Sequence, residues 1–164
     1  MIDLPFEELV SITVKASHEE YQIKKITQKC KQNISRKLDI PELILDTYLL
    51  TEGAYEGHIR HNDSNGTWDI GPMQINSINW KLFYDSFGIT PLEIRYDGCI
   101  NLFSGAYLIK GHFDVVGDDV YNEWGIFVKT VANYHSKTPK HNKKYQVDFT
   151  ENLKSLLESD SYGY

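Results

Sequence analysis

Several features that would each select a class of protein are missing from this sequence. No apolar run is long enough to cross a membrane, so membrane insertion is not expected. The formal net charge is −6, which argues against nucleic acid as a partner because such binders normally carry a basic face. Residues 1–6 show no basic start followed by an apolar stretch, so no secretory leader is visible. On these grounds the chain is expected to be either cytoplasmic or an exported protein in its mature form.

Cysteine is scarce as well. Cys30 and Cys99 are the only two, and neither lies in a Cys-x-x-Cys pair. By themselves they are weak evidence, and two reduced thiols in the core are the ordinary interpretation. His58 and His61 lie three residues apart in a polar stretch, but no third ligand follows at a recognisable spacing. No metal and no other cofactor is therefore expected.

Helical periodicity dominates the rest of the chain. We expect residues 1–18 to form an N-terminal arm or a short helix, and residues 19–164 to form one mainly α-helical domain. Apolar residues three or four positions apart predict an amphipathic helix from Glu19 to Leu38. Pro41 suits the first turn of a second helix, which is apolar nearly all round and ends at Glu52-Gly53.

Little β structure is expected. Asn65-Gly66 is a strong turn signal, and the polar stretch around it predicts at most one small hairpin or loop. Residues 90–93 predict a capping box, and Asp97 is expected to cap the next helix, which should stop at Gly111. Further helices are expected at residues 77–87, at residues 122–135 and from about residue 142 to 158.

Glu52 stands at an unusual place for a carboxylate, the end of a helix that is expected to be deeply buried. The negative end of the helix dipole disfavours its ionised form, and burial acts in the same direction. We therefore expect the pKa of Glu52 to lie well above the ordinary value of about 4.3. A carboxyl group that stays protonated near neutral pH can act as a general acid.

Three segments together point to a family. They are Glu52-Gly53, then Asp69 to Asn76 with its Gly-Pro-Met-Gln-Ile-Asn run, and then Val131 to Tyr134. In order and spacing they resemble the lysozyme-like lytic transglycosylases, and specifically the small enzymes that accompany conjugation and type III and type IV secretion machines. The resemblance covers roughly residues 30–145. It also includes the polar run Asn62 to Asp69, and Cys99 in a helix with Gly105 and Ala106.

The resemblance implies a lysozyme-like fold and cleavage of peptidoglycan without water. Glu52 is then the single catalytic acid, and Tyr134 is expected to hydrogen-bond Glu52 or a sugar near it. Gln74 is expected to bind substrate or orient the site, and Met73 to line the cleft, to pack in the core, or both. The substrate-binding residues implied in this way are Gly71, Met73, Gln74, Asn76, Asn133 and Tyr134.

The resemblance also implies a disulfide and a location. Related proteins carry one cysteine before the catalytic helix and one in the helix after the Met-Gln motif, and they are exported, where disulfides persist. A Cys30–Cys99 disulfide and a periplasmic or otherwise exported protein are therefore expected. Its expected partners are peptidoglycan strands and proteins of a secretion or conjugation machine, and the chain itself is expected to be a monomer.

The sequence departs from the family at the edges of the motifs. Gly53 replaces the usual Ser after the catalytic Glu, and Pro72 replaces the usual Leu. Before Tyr134, Asn133 stands where Ala or Gly is usual, and after it, His135 stands where Asn is usual. Asn76 stands where goose-type lysozymes have Asp, which favours a transglycosylase over a hydrolase.

Three alternatives stay open from the sequence. The first is a hydrolytic muramidase, with Asp69 as the candidate second acid, although we interpret Asp69 as a turn or cap residue. The second is a catalytically inactive scaffold that binds glycan, which the departures at Gly53 and His135 would allow. The third is a cytoplasmic helical binding module, which reduced cysteines would favour.

Overall fold

The computed structural model describes residues 4–159 and is mainly helical, as expected. Residues 1–3 of the predicted N-terminal arm and residues 160–164 of the predicted domain lie outside the described residues. In chain order the elements are α1 (Phe6–Lys15), α2 (Gln28–Leu38), α3 (Glu42–Glu52), β1 (Ile59–Asn62), β2 (Thr67–Ile70), β3 (Ile75–Asn76), α4 (Trp80–Phe87), α5 (Pro91–Tyr96), α6 (Gly98–Val116), α7 (Trp124–Asn133) and α8 (Pro139–Glu158). Short 3-10 helices cover Ser77–Asn79 and Gly117–Tyr121.

The chain divides into two compact units. Of the described residues, 4–31 and 52–105 form the first unit, and 32–51 and 106–159 form the second. The expected domain boundary between residues 18 and 19 stays a prediction. Among the described residues, no helix is both long and apolar enough to cross a membrane.

In the first unit, α1 packs against α5. Arg95 of α5 is only 4% exposed, and three backbone carbonyls accept hydrogen bonds from its buried guanidinium group. Its Nε donates to the carbonyl of Gly57 at 2.7 Å, and its Nη1 donates to those of Thr13 and Ala16 at 2.6 and 3.0 Å. The described part of the N-terminal segment is thus a helix, and Arg95 fastens its end to the rest of the unit.

A three-stranded antiparallel sheet follows α3, in the order β1-β2-β3. The predicted turn is confirmed, because Asn62 pairs with Thr67 and Gly66 has a φ of 71°. The expectation of at most one hairpin is wrong, since β3 pairs with β2 through Asp69–Asn76 and Ile70–Ile75. A strand of two residues gives no alternating pattern in the sequence, which is why the periodicity missed it.

The first predicted amphipathic helix is shorter than expected, because α2 begins at Gln28 rather than at Glu19. The preceding residues form a backbone bridge instead. The Lys24 amide donates to the carbonyl of Tyr96 at 3.0 Å, and the Gly98 amide donates to the carbonyl of Lys24 at 2.8 Å. Tertiary pairing of this backbone therefore wins over its helical periodicity.

The helix caps follow the sequence more closely. Thr90 and Glu93 form the predicted capping box, and Asp97 accepts from the backbone amides of residues 99 and 100. The predicted stop of α6 at Gly111 is wrong, since the helix continues to Val116. A single glycine inside a helix costs only about 1 kcal/mol, which the packing of a long helix overcomes.

The second unit has an aromatic core. The ring of Tyr48 packs edge-on against Phe149, with ring centres 5.1 Å apart, and its hydroxyl donates to the carbonyl of Val131 at 2.9 Å. Tyr48 and Phe149 are both fully buried. Helices α7 and α8 pack along each other in this unit.

Candidate active site

Glu52 is the last residue of α3 and is half-buried, and Gly53 follows it with a φ of 65°. The sequence therefore predicted the end of this helix correctly. Its burial is one-sided, because Ile44 and Leu45 are buried whereas Leu50 is 48% exposed. The helix is thus not enclosed all round, as its apolar composition had suggested.

The Gly-Pro-Met-Gln segment forms a tight turn that is tied to His58. The amide of Gly71 donates to the carbonyl of His58 at 3.0 Å, and the amide of Gln74 donates back to the carbonyl of Gly71 at 3.0 Å. Gln74 has a φ of 50°, a left-handed conformation that costs a non-glycine residue free energy. Such strain persists only where the surroundings hold the residue in place.

The side chain of Gln74 supplies part of that hold. Its Nε2 donates to the carbonyl of Gly71 at 2.9 Å and lies 3.1 Å from Nδ1 of His58. An amide nitrogen is a donor only, so this hydrogen bond forms when Nδ1 of His58 carries no proton. Both contacts involve Nε2, and no group within residues 4–159 donates a hydrogen bond to the other side-chain atom, Oε1 of Gln74.

His58 was not predicted to belong to the site. Burial lowers its pKa below the ordinary 6.5, and the positive charges of Arg60 and Arg95 lower it further, against the opposite effect of Asp69. A neutral ring is what the hydrogen bond from Gln74 requires. The sequence held no clear signal for this role, since nothing in it distinguishes His58 from His61. In the structure His61 is exposed and lies 2.7 Å from Asp63.

Asn101 in α6 holds the turn from the opposite side. Its side chain is fully buried, and its Oδ1 accepts from the amide of Met73 at 2.7 Å. Its Nδ2 donates to the carbonyls of Ile70 and Ile94 at 3.0 and 2.9 Å. Gly71 leaves room for this amide group, because a Cβ there would collide with Nδ2 of Asn101. Sequence reasoning missed Asn101, which lies two residues after Cys99 without any motif around it.

Met73 is fully buried and packs against Gly105, where an added Cβ would lie 2.7 Å from the Met73 methyl carbon. Core packing, one of its two expected roles, accounts for this side chain. A role in binding substrate stays a prediction.

Asp69 and Asn76 belong to a polar network on the sheet. Asp69 is 8% exposed, and its Oδ2 accepts from Asn62 at 2.8 Å and from Arg60 at 3.1 Å. Asn76 donates to Oδ1 of Asp69 at 2.9 Å and to the hydroxyl of Thr67, also at 2.9 Å, while its own oxygen caps the following 3-10 helix. Both side chains are therefore used to join the three strands.

The disulfide that the resemblance implies is confirmed. Cys30 and Cys99 are bonded, with their Cα atoms 5.9 Å apart, and the bond closes a separation of 69 residues. It joins the first turn of α2 to the first turn of α6. Among the described residues, no group of three His, Cys, Asp or Glu side chains is placed to hold a metal ion.

The two remaining candidate residues belong to the second unit. Asn133 ends α7, and its Oδ1 accepts from Asn142 at 3.0 Å. The half-buried Tyr134 packs edge-on against Tyr48, with ring centres 5.2 Å apart, and His135 stacks on Tyr145 at 4.9 Å. The expected hydrogen bond of Tyr134 stays a prediction.

A comparison of the chain with models of known protein families and with curated proteins gives no match.

Proposed function

We propose that this protein is a peptidoglycan lytic transglycosylase with a lysozyme-like fold and with Glu52 as its catalytic acid. The observation that carries the proposal is the Cys30–Cys99 disulfide. The residues alone favoured two reduced thiols, and only the resemblance to this family predicted that they pair. A small antiparallel sheet after the helix that ends in Glu52 also supports the proposal.

The two buried carboxylates of the first unit, Asp69 and Glu56, support the choice of Glu52. Both oxygens of Asp69 accept hydrogen bonds within the sheet. Burial by itself would raise the pKa of Glu56, but hydrogen bonds from backbone amides and from Lys25 outweigh it and lower that pKa. A lowered pKa makes Glu56 unsuited to act as an acid near neutral pH, and the oxygens of Asp69 are already used within the sheet. Two carboxylates that serve structure are consistent with a reaction that needs only one catalytic carboxyl.

The proposed reaction proceeds without water. Glu52 gives its proton to the glycosidic oxygen as the β-1,4 bond between N-acetylmuramic acid and N-acetylglucosamine breaks, so the leaving sugar departs with a free 4-hydroxyl. The substrate's own N-acetyl group stabilises the positive charge that develops at C1. The C6 hydroxyl then bonds to C1, and its proton returns to Glu52. The product ends in a 1,6-anhydromuramic ring, and the enzyme regains its starting protonation state.

Gln74 is proposed to orient the substrate through its carbonyl oxygen. Its Nε2 is fixed by His58 and Gly71, so the amide group cannot rotate without losing two contacts. Oε1 is an acceptor only, so its partner on the substrate must be a donor, such as a sugar hydroxyl or an acetamido N–H. A fixed acceptor of this kind positions a sugar ring at little entropic cost.

The proposal includes a place of action. A disulfide persists in oxidising compartments, so an exported, periplasmic protein fits the bonded cysteines better than a cytoplasmic module does. Peptidoglycan strands are the proposed substrate, and proteins of a secretion or conjugation machine are proposed partners of a monomeric enzyme.

The test is a digestion of purified peptidoglycan by the wild type, by Glu52→Gln and by Glu158→Gln, with the soluble products identified by mass spectrometry. Glu158 is a matched control, because it is also the last residue of a helix but is exposed. We expect 1,6-anhydromuropeptides from the wild type and the control, and a loss of at least about a hundredfold with Glu52→Gln, as for removal of a general acid.

Other products would overturn the proposal in defined ways. Muropeptides heavier by one water molecule would identify a hydrolytic muramidase. No products from a folded wild type that still binds peptidoglycan would identify a glycan-binding scaffold. Equal activity of the wild type and Glu52→Gln would assign the acid to another residue.

A further inference from the structure

The second unit has an open groove between α7 and α8 that none of the proposed catalytic residues lines. Its volume is about 380 Å³, in the lower part of the range of about 300–1,000 Å³ that is usual for small-molecule sites. Such a volume suits one or two sugar rings rather than a folded partner segment. All residues that line it lie in α7 and α8.

The floor of the groove is apolar and aromatic. Trp124, the first residue of α7, is 52% exposed and leans on Phe127 with ring centres 5.6 Å apart. Val128 and Val147 complete the floor, the first buried and the second 48% exposed. The space beside Gly125 is open, since an added Cβ there would meet no atom within 4 Å. An exposed indole face beside aliphatic groups is suited to the C–H face of a sugar ring.

The rim of the groove is charged, and the fold does not use its charges. Lys143, Glu151 and Lys154 follow one face of α8 along the groove. None of the three forms an ion pair with any residue of the described range 4–159. Two lysines against one glutamate make the rim positive, on a chain whose formal net charge is −6. A positive rim on a negative protein favours an anionic ligand.

We propose that this groove binds a sugar that carries a carboxylate, with the ring on Trp124 and the carboxylate attracted by the positive charge of the rim. Gln146 adds a fixed amide to the rim, because its Nε2 donates to Asn142 at 2.7 Å. In the setting of the proposed function, on which this choice of sugar rests, the ligand is an N-acetylmuramyl unit whose lactyl carboxylate is free, as in a glycan strand without its stem peptides. The groove is then a glycan subsite that does not include the acid Glu52.

The test is an NMR titration of the full-length protein that follows the indole N–H signal of Trp124, assigned with Trp124→Phe. The probes are N-acetylmuramic acid and N-acetylglucosamine, which differ by the lactyl carboxylate. We expect the Trp124 signal to shift with both sugars and to saturate at a several-fold lower concentration of the muramic acid. Lys143→Gln and Lys154→Gln should each weaken that binding about two- to fivefold, as expected for an exposed ionic contact.

Lys144→Gln is the matched control, since Lys144 neighbours Lys143 on α8 but pairs with Asp148 at 2.6 Å and does not line the groove. It should bind like the wild type. No shift of the Trp124 signal with either sugar, equal affinity for both, or equal weakening by Lys144→Gln would each overturn the proposal. A shift with an acidic peptide but not with sugars would assign the groove to a peptide partner instead.

The titration is repeated with Glu52→Gln, which separates the two proposals. If the groove is a subsite, the Trp124 signal of this variant still responds to muramic acid although its product formation is lost. A response of Trp124 without any anhydro product from the wild type would refute the proposed function and leave the groove assigned. Anhydro products without a response of Trp124 would refute the groove alone.

Discussion

Gly71 and Gly66 offer a matched test of how the Met-Gln turn is held. Their φ values are 68° and 71°, so replacement by alanine costs both about the same backbone free energy, roughly 1 kcal/mol. Their surroundings differ. A Cβ at Gly66 would meet nothing within 4 Å, whereas a Cβ at Gly71 would overlap the side-chain amide of Asn101 and lie 3.1 Å from the carbonyl oxygen of Ile94.

The size of the difference follows from the bonds of Asn101. To make room for a methyl group at position 71, the Asn101 amide would have to leave a position in which it forms three buried hydrogen bonds. Each contributes about 1 kcal/mol, so Gly71→Ala should lower the free energy of unfolding by about 4 kcal/mol and Gly66→Ala by about 1 kcal/mol. Urea unfolding measures the stability of both variants. If the free energy of unfolding depends on urea concentration with the same slope in both, the difference between their unfolding midpoints reports a difference in stability.

A double-mutant cycle identifies the partner. Asn101→Ala alone should cost about 3 kcal/mol, because it leaves the amide of Met73 and two carbonyls without their buried partner. In that background Gly71→Ala has no amide to displace and should cost only about 1 kcal/mol more. Equal costs of Gly71→Ala and Gly66→Ala, or strictly additive costs in the cycle, would refute the reasoning that Asn101 holds this turn.

Two further predictions concern the disulfide and two histidines. Reduction of Cys30–Cys99, which closes a separation of 69 residues, should lower the free energy of unfolding by about 4 kcal/mol, measured by urea unfolding with and without reductant. Burial lowers the pKa of His58 and of His112, and the charge of Lys137 lowers that of His112 further. The folded state therefore binds fewer protons than the unfolded chain just below the ordinary pKa of 6.5, so the free energy of unfolding should fall as the pH drops through that value.

Each of these two predictions has its own control. The double variant Cys30→Ser/Cys99→Ser should be insensitive to reductant, and a wild type that is equally stable in both conditions would contradict the first prediction. The double variant His58→Gln/His112→Gln should lose less stability than the wild type between about pH 7.5 and pH 5.5. An identical loss in both proteins would assign the pH dependence to other groups.

The sequence predicted best where one local signal decides the structure. Thr90 and Glu93 formed their capping box, and the Asn65-Gly66 turn formed its hairpin, because each depends on side chains and backbone within a few residues. It failed where distant backbone decides. Residues before Gln28 have a helical pattern, yet Lys24 pairs with Tyr96 and Gly98, which lie more than 70 residues away in the chain. No periodicity in residues 19–27 encodes that partner.

The same distinction separates the candidate site into two kinds of residue. Gly71, Met73 and Asn76 all lie in the motif that suggested substrate binding, but the turn, the core and the sheet each use one of them. His58 and Asn101, which hold that turn, carry no sequence signal because their partners are backbone atoms and an amide far along the chain.

Most residues of the motif from Gly71 to Asn76 therefore serve the local fold rather than a chemical role. Most of its side chains would be needed to form the strained turn at Gln74 even in a protein that cleaves nothing. The strained turn leaves Oε1 of Gln74 without a donor among the described residues, and this is the acceptor that the proposed function assigns to the substrate. If the chain binds glycan as proposed, the choice between an enzyme and a glycan-binding scaffold rests on Glu52 and its carboxyl chemistry, since both would need the same turn and the same acceptor.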